Sequence, residues 1–310
     1  MNVPKARWFL VVCLTWALGE SILFSAPATA AAGKHPLWKV STATNSIYLL
    51  GSIHVLRKTD YPLPEVIESA FSNAPLAAFE ADIDQMQDPA VAMQMLTKCL
   101  LPEGETLAGR LSPELYKTFT NKVNEVSKSL TNQASESALA LMMIDRFTPG
   151  MAATTLATVQ LEKLHLDPRY GLDKRLYERA KKDGKKTFAL ETVEFQLDLF
   201  TQLSKDEGEL FLKTTLADMD KLETELPDFI KAWKNGDPAQ LEKLLDEATE
   251  QAPGLYKRLI SDRNASWIPK IEQLLKENRN AIVVVGTGHL VGKDNVVQLL
   301  EKKGYKVTQL

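Results

Sequence analysis

"AIVVVG", residues 281–286, is an unbroken apolar run rich in β-branched side chains and closed by glycine. A half-exposed strand alternates apolar and polar residues. A run without alternation reads as a parallel strand covered on both faces. "IYLLG" (47–51) and "LAAFE" (76–80) have the same character, and "WKVST" (38–42), "TFALE" (187–191) and "YKVTQ" (305–309) complete the set of expected strands. Helical patterns separate them. "LPEVIESAFSNA" (63–74) has a proline near its start and an apolar face at Val66, Ile67 and Ala70, and "KDNVVQLLEKKGY" (293–305) closes on Gly304 in the helix-stop position. Strand–helix alternation at both ends argues for an α/β fold with a central, mostly parallel sheet built from both ends of the chain.

Residues of roughly 90–180 and 195–275 read as amphipathic helices, a large all-helical insertion. "SPELYK" offers Ser112 as a cap, and Leu241, Leu244 and Leu245 stand at core-facing spacing. The Met142–Met143 pair reads as core packing. No Gly/Ser/Pro-rich linker divides the chain, so residues 31–310 are expected to form one domain.

The first 30 residues differ in kind. A basic start, the 11-residue apolar run "WFLVVCLTWAL" and an Ala28-Thr29-Ala30 ending follow the order of a signal peptide. Gly19-Glu20 interrupts the apolar stretch well short of the ~20 residues a span needs. The expectation is an exported protein, periplasmic or secreted, with no stable membrane span after leader cleavage. Removing the leader leaves Cys99 alone, so no internal disulfide is possible, and a small apolar filler is the role it suits. A net charge of −3 without a persistent Lys/Arg block excludes a nucleic-acid surface.

In a parallel sheet, ligands bind beyond the carboxyl ends of the strands. The residues delivered there are His54, Glu80, Glu191 and His289. Two of the chain's four histidines sit in matching turns, "LLGSIH" and "VVGTGH", more than two hundred residues apart. Gly51 and Gly286 are read as letting the chain turn sharply off each strand. Imidazole and carboxylate together suit Zn, Mn, Fe or Co. Each residue also has a plain reading. Glu80 could begin a solvated loop with Asp82 and Asp84, and Glu191 could favour the start of the helix near Thr192. His35 lies beside the leader, and His165 reads as helix-end decoration.

"LWKVSTATNSIYLLGSIHVL", "GLDKRL" (171–176), "FALETVEFQLDLF" (188–200), "DRNASW" (262–267) and "VGTGHLVGKDNVVQLLEKKGYKV" (285–307) resemble the TraB/GumN family, from about Trp38 to Val307. The resemblance implies kinship with the Tiki metalloproteases and, more distantly, with erythromycin-esterase-like and ChaN-like proteins. It implies a Mn- or Co-dependent cleavage of peptide bonds, with His54, Glu80 and His289 as metal ligands and Glu191 and Arg263 as further pocket members. On that basis the expected substrate is a peptide or small molecule. Glu80 or Glu191 would complete the metal site, and the other would act as base. Arg263 would either steady an oxyanion or simply pair with a sheet-end carboxylate. Two other classes stand beside this: a metal-free esterase, for which Ser52 lacks the nucleophile-elbow motif, and a non-enzymatic exported protein that binds haem through its histidines.

Overall fold

Apolar runs at both ends of the chain meet in one six-stranded sheet. The computed structural model describes residues 33–130 and 141–310, so the expected leader (1–30) lies outside the described residues. The strands are β1 (Leu37–Ser41), β2 (Ser46–Ser52), β3 (Leu76–Phe79), β4 (Lys186–Ala189), β5 (Ala281–Gly286) and β6 (Val307–Gln309). Their spatial order is β4-β3-β5-β2-β1-β6. The four strands from β4 to β2 run parallel, and β1 and β6 join antiparallel at one edge. Every side chain of β5 is buried, although successive residues face opposite sides, so both faces of the sheet are covered there.

Helices of seven residues or more are α1 (Glu65–Ser72), α2 (Pro89–Cys99), α3 (Pro113–Leu130), α4 (Pro149–Lys163), α5 (Leu172–Lys182), α6 (Val193–Thr201), α7 (Lys205–Met219), α8 (Leu222–Lys234), α9 (Pro238–Gln251), α10 (Asp262–Lys276) and α11 (Val296–Lys302). Helices α2 to α10, interrupted among the described residues by strand β4, form the expected insertion. Leu241, Leu244 and Leu245 of α9 are buried, and Gly304 ends α11 with a left-handed φ of 89°. On α1 the inward residues are Ile67, Ala70 and Phe71, with Val66 only partly covered. Cys99 is buried, and burial pushes its thiol up to about 11, as suits an inert filler. His165 is exposed just past α4, at a positive φ of 61°. Among the described residues no helix is long and apolar enough to cross a membrane.

The methionine pair does not pack in the core as expected. Met142 and Met143 are 70% and 62% exposed. Ile144 is buried and Leu141 packs against the core, which places both on one helical face and turns the residues between them outward. The strand ends also differ usefully. β3 stops at Phe79 and β4 at Ala189, so Glu80 and Glu191 stand beyond the sheet.

Candidate functional site

Strands β2 and β5 are parallel neighbours, with Gly51 opposite Val285 and Ser52 opposite Gly286. The two Gly-x-x-His turns therefore leave the sheet side by side. Neither glycine has a positive φ. Space, and not a sharp turn, is the reason for both. A Cβ on Gly51 would stand 2.9 Å from Thr287 Oγ1. A Cβ on Gly286 would stand 3.2 Å from His54 Nε2, 3.4 Å from Glu80 Oε1 and 3.6 Å from His289 Cδ2. Both histidines and one glutamate thus surround the spot that glycine leaves open.

The two glutamates come from β3 and β4, whose pairing continues one step past the strands through Glu191 N–H to Glu80 O at 2.7 Å. That sets the carboxylates side by side, each almost buried. Two buried anions at one place require a counter-charge. Arg263, fully buried on α10, supplies it. Its Nη2 donates to Glu80 Oε2 at 2.5 Å and to Glu191 Oε2 at 2.9 Å, and its Nε donates to Glu191 Oε1 at 3.0 Å. Its Nη1 donates to Leu259 O at 3.1 Å and lies 3.0 Å from His289 Nε2. Leu259 lies in a π-helical turn, Lys257–Ser261, that immediately precedes α10. All five guanidinium N–H groups are thereby engaged. Burial opposes the charge on Arg263, but the two glutamates outweigh it and raise its pKa further.

Glu191 also accepts from Trp267 Nε1 at 2.8 Å. Gln196, near the start of α6, donates to Glu80 Oε2 at 3.2 Å and Glu191 Oε2 at 3.3 Å. Glu80 keeps Oε1 turned the other way, accepting the Gly286 N–H at 2.7 Å and lying 3.9 Å from His289 Nε2. Glu191 is therefore an ion-pair anchor and not a helix-start acid, a duty left to the N-cap Thr192. Glu80 opens no solvated loop; the N-cap there is Asp82.

The imidazoles are held from behind. His289 Nδ1 lies 2.7 Å from Asn264 Oδ1, and the Asn264 amide is oriented by its own donation to Asp294 O at 2.9 Å. Nδ1 of His289 is then the donor, and Nε2 carries the lone pair toward Arg263. Burial, then the charges of Arg263 and His54, push the pKa of His289 well below its ordinary value. His54 Nδ1 meets Asp173 Oδ2 at 2.7 Å, and Ser52 Oγ donates to Asp173 Oδ1 at 2.6 Å. Helix α5 brings Asp173 there. Its Leu172 N–H bonds Ile53 O at 2.9 Å, and Gly171 passes so close to the His54 carbonyl that no Cβ would fit. Burial works to lower the His54 pKa, but the Asp173 charge and hydrogen bond prevail and raise it.

All five residues expected from the sequence, His54, Glu80, Glu191, Arg263 and His289, come together. Asp173, Trp267 and Gln196 join them without a sequence signal of their own, although each stands inside a stretch that carries the family resemblance. An Asp in the first turn of a helix signals only a favourable helix start, which hides its reach across to another element.

The donor chemistry suits a cation. Each imidazole has its Nδ1 tied to an acceptor, the arrangement that fixes Nε2 as the ligating atom, and Glu80 Oε1 faces the same opening. Among the described residues no three such donors stand grouped tightly enough to hold an ion with the side chains as placed. The intervening group is Arg263, which takes up the His289 Nε2 lone pair. With both imidazoles neutral, the carboxylates of Glu80, Glu191 and Asp173 against one guanidinium leave two negative formal charges, which a divalent cation would balance.

The chain is 27% identical over 272 residues to the uncharacterized protein YbaP of Escherichia coli, covering 86% of this chain and 94% of YbaP. It is 25% identical to the metalloprotease TIKI homolog of Amphimedon queenslandica, covering 88% of this chain and 61% of that protein. It is also 24% identical to metalloprotease TIKI1 of Homo sapiens, covering 97% of this chain and 68% of that protein. No solved structure matches the chain. The TraB/PrgY/gumN family matches residues 36–309, from just before β1 to the end of β6 and so across every residue of the site; the chain belongs to that family.

Proposed function

We propose that this chain is an exported, single-domain, divalent-metal-dependent hydrolase that cleaves peptide bonds. The observation that carries the reading is the convergence of His54 Nε2, Glu80 Oε1 and His289 on the space over Gly286. Likeness to metalloproteases of the Tiki group supports it, and the leader-like residues 1–30 support export. His54, His289 and Glu80 would hold the ion. What such an ion supplies is Lewis acidity, polarising the peptide carbonyl and making bound water more acidic.

The protein's own groups have separable duties. Asp173 and Asn264 hold the two imidazoles by Nδ1, which leaves His54 Nε2 at the opening and His289 Nε2 on Arg263 Nη1. His289 would therefore bind an ion only as that bond is given up. Glu80 suits either duty that the sequence left open, ligand or base, because Oε1 accepts only the Gly286 amide. Glu191 suits neither, since both its oxygens are occupied by Arg263, Trp267 and Gln196. Of the two readings for Arg263, the pair with the sheet-end carboxylates is favoured, because Nε and Nη2 are committed to Glu80 and Glu191; only the Nη1 N–H on His289 would be released when that imidazole holds an ion.

One observation favours a metal-free variant. His54 backed by Asp173 is also the arrangement of a general base. Chelation separates the two. Peptide hydrolysis by the mature protein should vanish after chelator treatment and return with Mn²⁺ or Co²⁺. Activity indifferent to chelation would leave only the metal-free form.

A further inference from the structure

The matching turns agree in one place beyond their glycine and histidine. "GSIH" and "GTGH" both carry a hydroxyl residue directly after the glycine, Ser52 and Thr287. Each is only 2% exposed, and a buried hydroxyl needs a partner. Neither side chain finds it within its own turn. Thr287 Oγ1 reaches across to the other turn and donates to Ser52 O at 2.8 Å. Ser52 Oγ donates to Asp173 Oδ1 at 2.6 Å, and the second oxygen of that carboxylate meets His54 Nδ1 at 2.7 Å. The contacts therefore run in one line, from the turn that carries His289 to the ring of His54.

The backbone of the first turn is held at three successive carbonyls. Gly51 O accepts from Trp233 Nε1 of α8 at 2.8 Å, Ser52 O from Thr287, and Ile53 O from the Leu172 N–H of α5 at 2.9 Å. Of these three donors, Thr287 is the one that belongs to the other histidine's turn. It carries the link between the turns beyond the last ladder pair, Ser52 opposite Gly286. Ser52 has a different duty. A hydroxyl bonded to a carboxylate is a strong contact, and one fixed oxygen keeps the other from swinging off the imidazole. With its proton on Asp173 and its side chain covered, Ser52 is placed to steer a ring and not to attack a substrate.

We propose that Ser52 and Thr287 are positioning residues, which together fix the separation of the two turns and, through Asp173, the orientation of the His54 ring at the cation site. The proposal rests on the metal reading for what the ring is aimed at, whereas the hydrogen-bonded line itself belongs to the metal-free chain.

The test begins with the metal-free mature protein carrying ¹⁵N-histidine, in which NMR follows solvent exchange of the His54 Nδ1 proton at a single pH. Ser52→Ala and Thr287→Val should each speed that exchange by roughly tenfold or more. Thr287→Ser keeps the hydroxyl and should restore the native rate. The Nδ1 proton of His289, held by Asn264, should keep its native rate in Ser52→Ala. Calorimetric titration with Mn²⁺ should then show binding weakened about tenfold in Ser52→Ala and Thr287→Val, and native in Thr287→Ser. A role confined to stability would lower the urea midpoint and leave both readouts alone. Unchanged exchange of the His54 proton in Ser52→Ala, or native Mn²⁺ affinity in both weakened variants, overturns the proposal. If the native chain takes up no Mn²⁺ while Ser52→Ala still frees the His54 proton, the metal reading fails and the positioning role stands.

Discussion

The two Gly-x-x-His turns leave neighbouring parallel strands and end in opposite environments. His54 sits at the rim, its side chain 16% exposed, with a carboxylate behind it. His289 is buried, with an amide behind it, a guanidinium in front and the Trp267 ring tilted against it at a centroid distance of 4.4 Å. One imidazole is thus pushed toward the charged form and the other toward the neutral form. The motif delivers the ring, and the residues packed behind it decide its chemistry.

The largest effect should come from the group that makes the two ends differ. Arg263→Leu leaves Glu80 and Glu191 buried without a counter-charge, and breaking such a cluster costs about 3–5 kcal/mol, readable from urea unfolding. A loss under 1 kcal/mol would mean the guanidinium is not the counter-charge described. Next come the histidines themselves. His289→Ala removes a ring packed against Trp267 and strands Arg263 Nη1 and Asn264, for about 2–3 kcal/mol. His54→Ala at the rim should cost about half as much. Equal losses would erase the contrast between the turns. Exchanging the backing groups is subtler: Asp173→Asn should weaken metal binding by about 10–100-fold with little change in unfolding midpoint, and calorimetric Mn²⁺ titration reads it.

The smallest effect is in pH, with opposite signs at the two ends. His54 has a folded pKa raised above 6.5, so in the metal-free protein its pair stabilises fully below that value and the benefit fades as pH rises through the raised pKa. His289 has a folded pKa below 6.5, so the unfolded chain takes up a proton that the folded one refuses, and stability falls as pH drops below about 6.5. Urea midpoints between pH 5 and 8 should lose the upper trend in His54→Ala and the lower one in His289→Ala.

Much of this site was legible because strand ends are legible. The apolar runs stop at Gly51, Phe79, Ala189 and Gly286, and polar residues just beyond them must stand at one edge of the sheet. Side chains that arrive from helices were harder to read. Asp173, Gln196 and Trp267 reach the site across other elements, and helical periodicity says which face is inward, not which partner it meets. The Met142–Met143 pair failed for a related reason. Methionine suits both a core and a sticky surface, and only the rotation set by Leu141 and Ile144 distinguishes them.

The central claim is that both turns and Glu80 serve one cation site. Titrating the metal-free mature protein with Co²⁺ and following its visible absorption tests this directly. Saturation at one ion per chain is expected, with loss of that spectrum in each of His54→Ala, His289→Ala and Glu80→Gln. Saturable binding that survives all three substitutions, or no saturable binding by the native chain, would contradict it.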